Sequence, residues 1–288
     1  ILKAAGQADS EPVITVYNQL LSNGRQISVG QSDGTTFTDG EVIAKSTGEK
    51  LDATDFTTDA VNQAANIYPM NLDDYTVIAK KLNHKPIEVL KDGTDRKTTT
   101  DTYKEAFDWI QTNGDSGNYT VKIHVPRNYG ADDVTALMAV TTAKAAQITL
   151  EAADGSHIDN DYMRMRAASA LETLELPTAI AVEFKNIAVR RSNAEGTSDE
   201  QIVFVNNANA LTINGDYKTV GDQAEIYGGS STADSTANTI VTVNAGIFQT
   251  VYGGSMATHS HSGKAGITIG AGATVTTVNG ASSGETAK

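Results

Sequence analysis

Leu211-Thr212-Ile213-Asn214-Gly215 leads to Ile226-Tyr227-Gly228-Gly229-Ser230. Val241-Thr242-Val243-Asn244-Ala245-Gly246 leads to Val251-Tyr252-Gly253-Gly254-Ser255. Ile267-Thr268-Ile269-Gly270-Ala271-Gly272 leads to Val278-Asn279-Gly280-Ala281-Ser282. Each unit is a short alternating strand, a small-residue turn, a second short strand and a Gly-containing corner. The corners at Gly228, Gly253 and Gly280 fall 25 and then 27 residues apart. A repeat of this length marks a solenoid, and units holding only short strands predict a parallel β-helix.

Upstream of these units the same alternation recurs. Tyr119-Thr120-Val121-Lys122-Ile123-His124-Val125 and Ile148-Thr149-Leu150 read as rungs. Val182-Glu183-Phe184-Lys185-Asn186 and Ile202-Val203-Phe204-Val205-Asn206 match in phase, 20 residues apart, and read as neighbouring rungs with Asn186 and Asn206 in a ladder. Because side chains alternate along a strand, Val121, Ile123, Ile148, Leu150, Val182, Phe184, Ile202, Phe204, Leu211, Ile213, Val241, Val243, Ile267 and Ile269 are expected in the core. Thr149, Thr212, Thr242 and Thr268 are expected outside. Residues 132–146 read as an inserted helix, with Val134, Leu137, Met138 and Thr141 on one face.

Thr102 opens a helix over 103–112, with Glu105 completing a capping box and Tyr103, Ala106, Phe107 and Ile110 forming an apolar stripe. Asn113-Gly114 ends it. A helix placed before the first rung is expected to lie over the open end of the solenoid, which would otherwise expose apolar rungs and strand edges. Residues 12–95 carry short strands at Val13–Tyr17, Ile27–Val29, Glu41–Ala44, Tyr75–Ala79 and Ile87–Leu90, separated by turns such as Asp33-Gly34 and Asp39-Gly40. That spacing predicts a small immunoglobulin-like β-sandwich. Pro69 to Val77 resembles the last turn and strand of Ig-like modules of surface proteins. The polar run from Asp92 to Thr100 is taken as the boundary. The organisation expected is therefore an arm or linker over 1–11, the sandwich over 12–95 and the β-helix over 96–288.

Residues 102–282 resemble the pectate-lyase-like right-handed parallel β-helix superfamily. The resemblance is closest to repeat-built bacterial surface proteins and adhesins, and Gly246-Ile247-Phe248 and Tyr252-Gly253-Gly254 carry it. It covers about two-thirds of the chain. It implies a fold that hosts lyases, hydrolases, tailspikes and adhesins alike, so function has to be argued from side chains.

The 288 residues contain no cysteine, which excludes disulfide frameworks, zinc–thiolate sites and iron–sulfur clusters. With 35 acidic and 22 basic residues the net charge is −13, unfavourable for a nucleic-acid partner and compatible with divalent cations. No apolar run reaches membrane-spanning length. The chain starts at Ile1 and no capping element follows the last corner, so it reads as a processed or truncated piece of a longer protein.

The charged concentration lies at Asp154, Asp159 and Asp161, followed by Arg164 and Arg190. Read as a site, the three carboxylates would hold calcium and the arginines would serve a polysaccharide lyase, or a carboxylate pair a glycoside hydrolase. Read as surface, they are a solvated loop and an exposed strand face, which the lack of EF-hand spacing favours. His259 and His261 share a face without an acidic third ligand and read as part of a Gly- and Ser-rich loop. Tyr227 and Tyr252 offer a glycan-stacking platform or a stack of their own along the corner. Ile267, Ile269, Val275 and Val278 form the last rung, and its uncovered edge is expected to take a partner. The candidates are a continuation of the chain, a neighbour's arm carrying Ile1 and Leu2, or a neighbour's N-terminal domain. The function expected is that of an extracellular or cell-surface structural or adhesive protein, without enzymatic activity and without an obligatory cofactor. In that role it is expected as a homo-oligomer, with a self-assembling filament or layer as one form, and glycan as its other ligand.

Overall fold

The computed structural model describes all residues except 5, 10, 18–25, 154–163, 168–172, 193–198, 201–202, 208, 216–217, 220–223, 257–258 and 281–288. The chain is mainly β and forms a β-solenoid of about 8 turns. The first column of parallel strands comprises Gly117–Ile123, Ala145–Ala152, Ala181–Lys185, Ala210–Asn214 and the leading parts of Thr239–Tyr252 and Ala265–Asn279. Its register stacks Val121, Leu150, Phe184, Ile213, Val243 and Ile269, with Tyr119, Ile148, Val182, Leu211, Val241 and Ile267 one alternation away. In both rows every member before the last turn is buried. The apolar members of each alternating strand are forced to one face, and stacking turns makes that face a continuous core.

A second column stacks Leu174, Phe204, Ile226, Val251 and Val278. A third joins Arg127–Tyr129, Arg164–Ala167, Ala188–Ser192 and Lys218–Thr219. This three-sided cross-section corrects the 20-residue match. Ala181–Lys185 belongs to the first column and Val203–Val205 to the second, so their phenylalanines meet across the interior. The Phe184 and Phe204 rings pack edge to face with centroids 5.2 Å apart. A full turn takes 22 residues from Phe204 to Ile226 and 29 from Val182 to Leu211, so the 20-residue step ends on a different side. The expected Asn186–Asn206 ladder is absent for the same reason. Asn186 instead stands above the turn at Asn214, and the Asn206 amide donates to the carbonyls of Asn209 and Ile240 at 2.6 and 3.2 Å.

The expected core residues are buried up to Val243, apart from Ile202, which lies outside the described residues. The inserted helix is shorter than expected, Ala131–Met138. It buries Leu137 and leaves Met138 exposed.

The polar run after Ile87–Lys91, expected as a domain boundary, is part of a hairpin. Asp92 and Gly93 adopt positive φ (50° and 78°) and turn the chain into Asp95–Thr100, which pairs antiparallel with Ile87–Lys91. Ile87–Lys91 in turn pairs antiparallel with Gly117–Ile123, so this hairpin extends the solenoid's sheet. It also lines the edge of the first parallel strand, which the helix alone was expected to protect. The helix spans Tyr103–Asn113 and buries Tyr103, Ala106, Phe107 and Ile110. The Thr102 side chain accepts from the Glu105 amide, and the Glu105 carboxylate reaches the amide of Asp101 rather than that of Thr102.

Before the hairpin, a separate core gathers Val16, Val29, Phe37, Ile43, Phe56, Ile67 and Val77. It lies with two sheets. Leu2–Lys3, Ile27–Gln31 and Phe56–Thr58 are parallel throughout. Ile14–Val16 pairs parallel with Val42–Ser46, which pairs antiparallel with Thr76–Lys81, itself antiparallel to Ile67–Asp73. An immunoglobulin-like sandwich pairs its strands antiparallel. The parallel pairs depart from that expectation: strand spacing predicts the strands but not which neighbours they choose. Tyr68 and Met70 from this region belong to the solenoid core, and the Tyr68 hydroxyl donates to Asp101 at 2.8 Å.

Candidate assembly surface at the last turn

Ala265–Asn279 pairs along its length with Thr239–Tyr252. Among the described residues no strand pairs with its other edge. The consequence is visible by comparing stacked positions. Val243 and Val251 are fully buried, whereas their partners Ile269 and Val278 are 37% and 52% exposed. Ile267 and Val275 are half-buried and pack on the core from its end. Burying an aliphatic side chain contributes about 1.5–3 kcal/mol, so covering this end would recover about 1 kcal/mol each at Ile269 and Val278. The strand's unpaired backbone groups add a template for another strand.

The arm offered as one candidate partner is engaged within its own chain. Leu2–Lys3 runs parallel beside Gly30 and Gln31, and the Ile1 ammonium donates to the Ser28 carbonyl at 2.7 Å. Lys3 and Glu41 form a buried ion pair at 2.6 Å that pins the arm. Ile1 and Leu2 themselves remain exposed.

Across its first four strands, Gly117–Ile123 to Ala210–Asn214, the outer face of the first column carries a network of hydrogen bonds and ion pairs. Thr120, Thr149, Glu183, Thr212, Thr242 and Thr268 stand in one row. Glu183 interrupts the threonines. One of its carboxylate oxygens accepts from Gln147 and Thr149 at 3.0 and 3.1 Å, and the other from Asn214 at 2.9 Å. Thr149 is consequently almost buried rather than free on the surface. In the adjacent row, Glu151 sits between Lys122 and Lys185 at 3.8 and 3.2 Å. Charges that alternate from turn to turn neutralise one another and tie successive turns together.

Tyr227 and Tyr252 stack face to face, with centroids 4.7 Å apart and planes within 6°. The Tyr227 hydroxyl donates to Glu225 at 2.7 Å. The corners stack through backbone bonds, from Gly228 N to Tyr252 O (2.8 Å), Gly229 N to Gly254 O (2.9 Å) and Gly253 N to Asn279 O (2.7 Å). Each tyrosine covers a face of the other, leaving less ring area for a sugar than two separate platforms would.

Asp154, Asp159 and Asp161 lie outside the described residues. Arg164 and Arg190 lie on adjacent parallel strands of the third column. In register, Arg164 stands opposite Ala188 and Arg190 opposite Arg166. His259 has an acidic neighbour that its sequence surroundings conceal. Asp234, one turn earlier, accepts the Ser260 amide at 2.8 Å and lies 3.9 Å from His259 Nδ1. Among the described residues, no helix is long and apolar enough to cross a membrane. No known protein family, curated protein or solved structure matches the chain.

Proposed function

We propose that this chain is a structural or adhesive protein of the cell exterior, and that its solenoid associates with a second copy through the open edge of Ala265–Asn279. The observation that carries the reading is that strand itself, which is long, alternately apolar and, among the described residues, paired on one side. The opposite end of the same sheet is Asp95–Thr100. Two antiparallel steps separate it from Gly117–Ile123, so it runs parallel to the column. Head-to-tail apposition of two copies therefore continues a parallel sheet, and a heterologous contact of this kind repeats into a filament. In this reading the solenoid has the right hand that parallel crossover connections take. The repeat-built surface proteins that residues 102–282 resemble supply the context. The paired outer rows then serve as a stiff, inert flank, and the ends carry the interaction.

Sedimentation velocity and electron microscopy over a concentration series test this. The expected result is growth into linear particles that is lost in the Ile269→Lys, Val278→Lys double variant while its circular dichroism stays unchanged. A chain that remains monomeric at high concentration overturns the reading. A species that stops at a dimer overturns the head-to-tail version of it.

A further inference from the structure

A second cluster lies at the opposite end of the solenoid, where the hairpin meets the first turn. Glu88 sits between Ile87 and Val89, both fully buried, and so points to the other face of the sheet. Its carboxylate is nevertheless only 7% exposed. Arg96, from the other strand of the hairpin, donates through Nε to Glu88 Oε1. Glu88 Oε2 is thereby left facing His124 Nε2, at 3.2 Å. His124 follows the first solenoid strand, and its amide donates to the Pro86 carbonyl at 2.9 Å, which fixes the backbone beside the hairpin. His84 stands just before that hairpin. Its ring meets the His124 ring edge to face, with centroids 4.5 Å apart. His84 Nδ1 lies 2.7 Å from the Lys85 carbonyl. A carbonyl only accepts, so Nδ1 carries the hydrogen and Nε2 holds the free lone pair. One ligand atom from each of His84, Glu88 and His124 lies within 4.8 Å of the other two.

We propose that His84, Glu88 and His124 form a binding site for a divalent transition-metal ion, best suited to zinc. Two imidazole nitrogens and one carboxylate favour a borderline ion over calcium or magnesium, which take oxygen ligands. Zinc bonds of about 2.0–2.2 Å in a tetrahedron place neighbouring ligand atoms about 3.4 Å apart. The separation of Glu88 Oε2 and His124 Nε2 matches this as it stands. His84 offers its ligand atom within 4.8 Å of the other two, and a side-chain rotation on the half-exposed His84 brings the third bond into range. Both orienting contacts that such sites use are in place: a backbone carbonyl on the second nitrogen of one histidine, and an arginine on the far oxygen of the carboxylate. Three protein ligands leave a fourth position for water. Held this way, the ion clamps the segment before the hairpin to the hairpin and the first solenoid strand.

Isothermal titration of zinc into the chelator-treated full chain tests the site, with a competing chromophoric chelator as a second readout. One tightly bound ion per chain is expected. His84→Ala and His124→Ala should each weaken binding by at least about 10-fold, and Arg96→Ala by a smaller factor through loss of carboxylate orientation. Cobalt substitution should give the intense visible bands of a tetrahedral site, altered in Glu88→Gln. His84 lies outside regular secondary structure, so His84→Ala is the variant least prone to misfolding, and circular dichroism checks each one. The proposal is overturned if the chain binds no stoichiometric zinc, or if binding survives His84→Ala and is lost instead in His259→Ala.

Discussion

Gly228→Ala isolates what the Gly-rich corners contribute. Gly228 is not among the glycines with positive φ, so the substitution imposes no dihedral penalty. The cost is spatial. A Cβ at Gly228 would stand 2.5 Å from the Gly253 carbonyl oxygen and 3.0 Å from Thr239 Oγ1, against about 3.4 Å for ordinary contact. The turns would have to separate locally by about 0.9 Å, the difference between those two distances to the carbonyl. Backbone atoms on both sides resist this. Gly228 N donates to Tyr252 O at 2.8 Å, Gly253 N to Asn279 O at 2.7 Å, and Thr239 Oγ1 to Gly253 O at 2.9 Å. Overpacking of this kind costs about 1–3 kcal/mol. Stretching one hydrogen bond adds about 1 kcal/mol, and the stiffer unfolded chain returns about 0.4–1 kcal/mol. The expected net loss is therefore about 2–3 kcal/mol. Gly48→Ala is the control: Gly48 has open space around its Cβ and no positive φ, so it should be neutral or stabilise by up to about 1 kcal/mol. A solenoid need not unfold in one step, so urea denaturation should be paired with amide exchange at Gly228, Gly229 and Asn206. Equal stability of the two variants, or a loss in Gly228→Ala spread evenly over the whole chain, would refute the stacking argument.

Three further outcomes are expected. Lys3→Met leaves Glu41 buried with only its bonds from Gln31 and Thr38, and should cost about 3 kcal/mol. Amide exchange should place that loss in strands Ile27–Gln31 and Val42–Ser46 and leave the solenoid column protected; an equal loss in both would contradict the separate core. Arg127 lies 4.6 Å over the Tyr68 ring, with Nε and Nη2 buried and unbonded, and burial lowers its pKa to about 10. Arg127→Met keeps the packing stem and removes two unsatisfied groups at the cost of one cation–π contact, so thermal unfolding should show a gain of about 1 kcal/mol. The amides of Ala265–Asn279 that point away from Thr239–Tyr252 should exchange rapidly in dilute protein and slowly in concentrated protein; concentration-independent exchange would count against association at that edge.

How much of this was legible in the sequence follows from what each signal depends on. The rungs were legible because alternation is local: Leu211, Ile213, Val241 and Val243 declare their face within five residues, and the structure buries all four. Neighbour choice is not local. The phase match of 182–186 with 202–206 is real, yet those strands occupy different sides, because the path length round a turn, not phase, decides what stacks on what. The hairpin at Asp92-Gly93 carried a local signal, a turn dipeptide needing positive φ after an alternating strand, but the charge of Asp95-Arg96-Lys97 made it read as a domain boundary. Such charges are common on an edge strand, where the side chains reach water. The His84–Glu88–His124 cluster was out of reach for a stronger reason. His84 and Glu88 are close in sequence, but His124 joins them only through the antiparallel register that sets Ile123 opposite Ile87. Placing a domain boundary at Asp92–Thr100 assigned Ile87–Lys91 and Gly117–Ile123, which pair directly, to different domains and so removed the cluster from view. Recognising Asp92-Gly93 as a turn would have set Ile87-Glu88-Val89 beside the next strand with the same alternation, Val121-Lys122-Ile123. His124 would then have fallen on the same edge as His84.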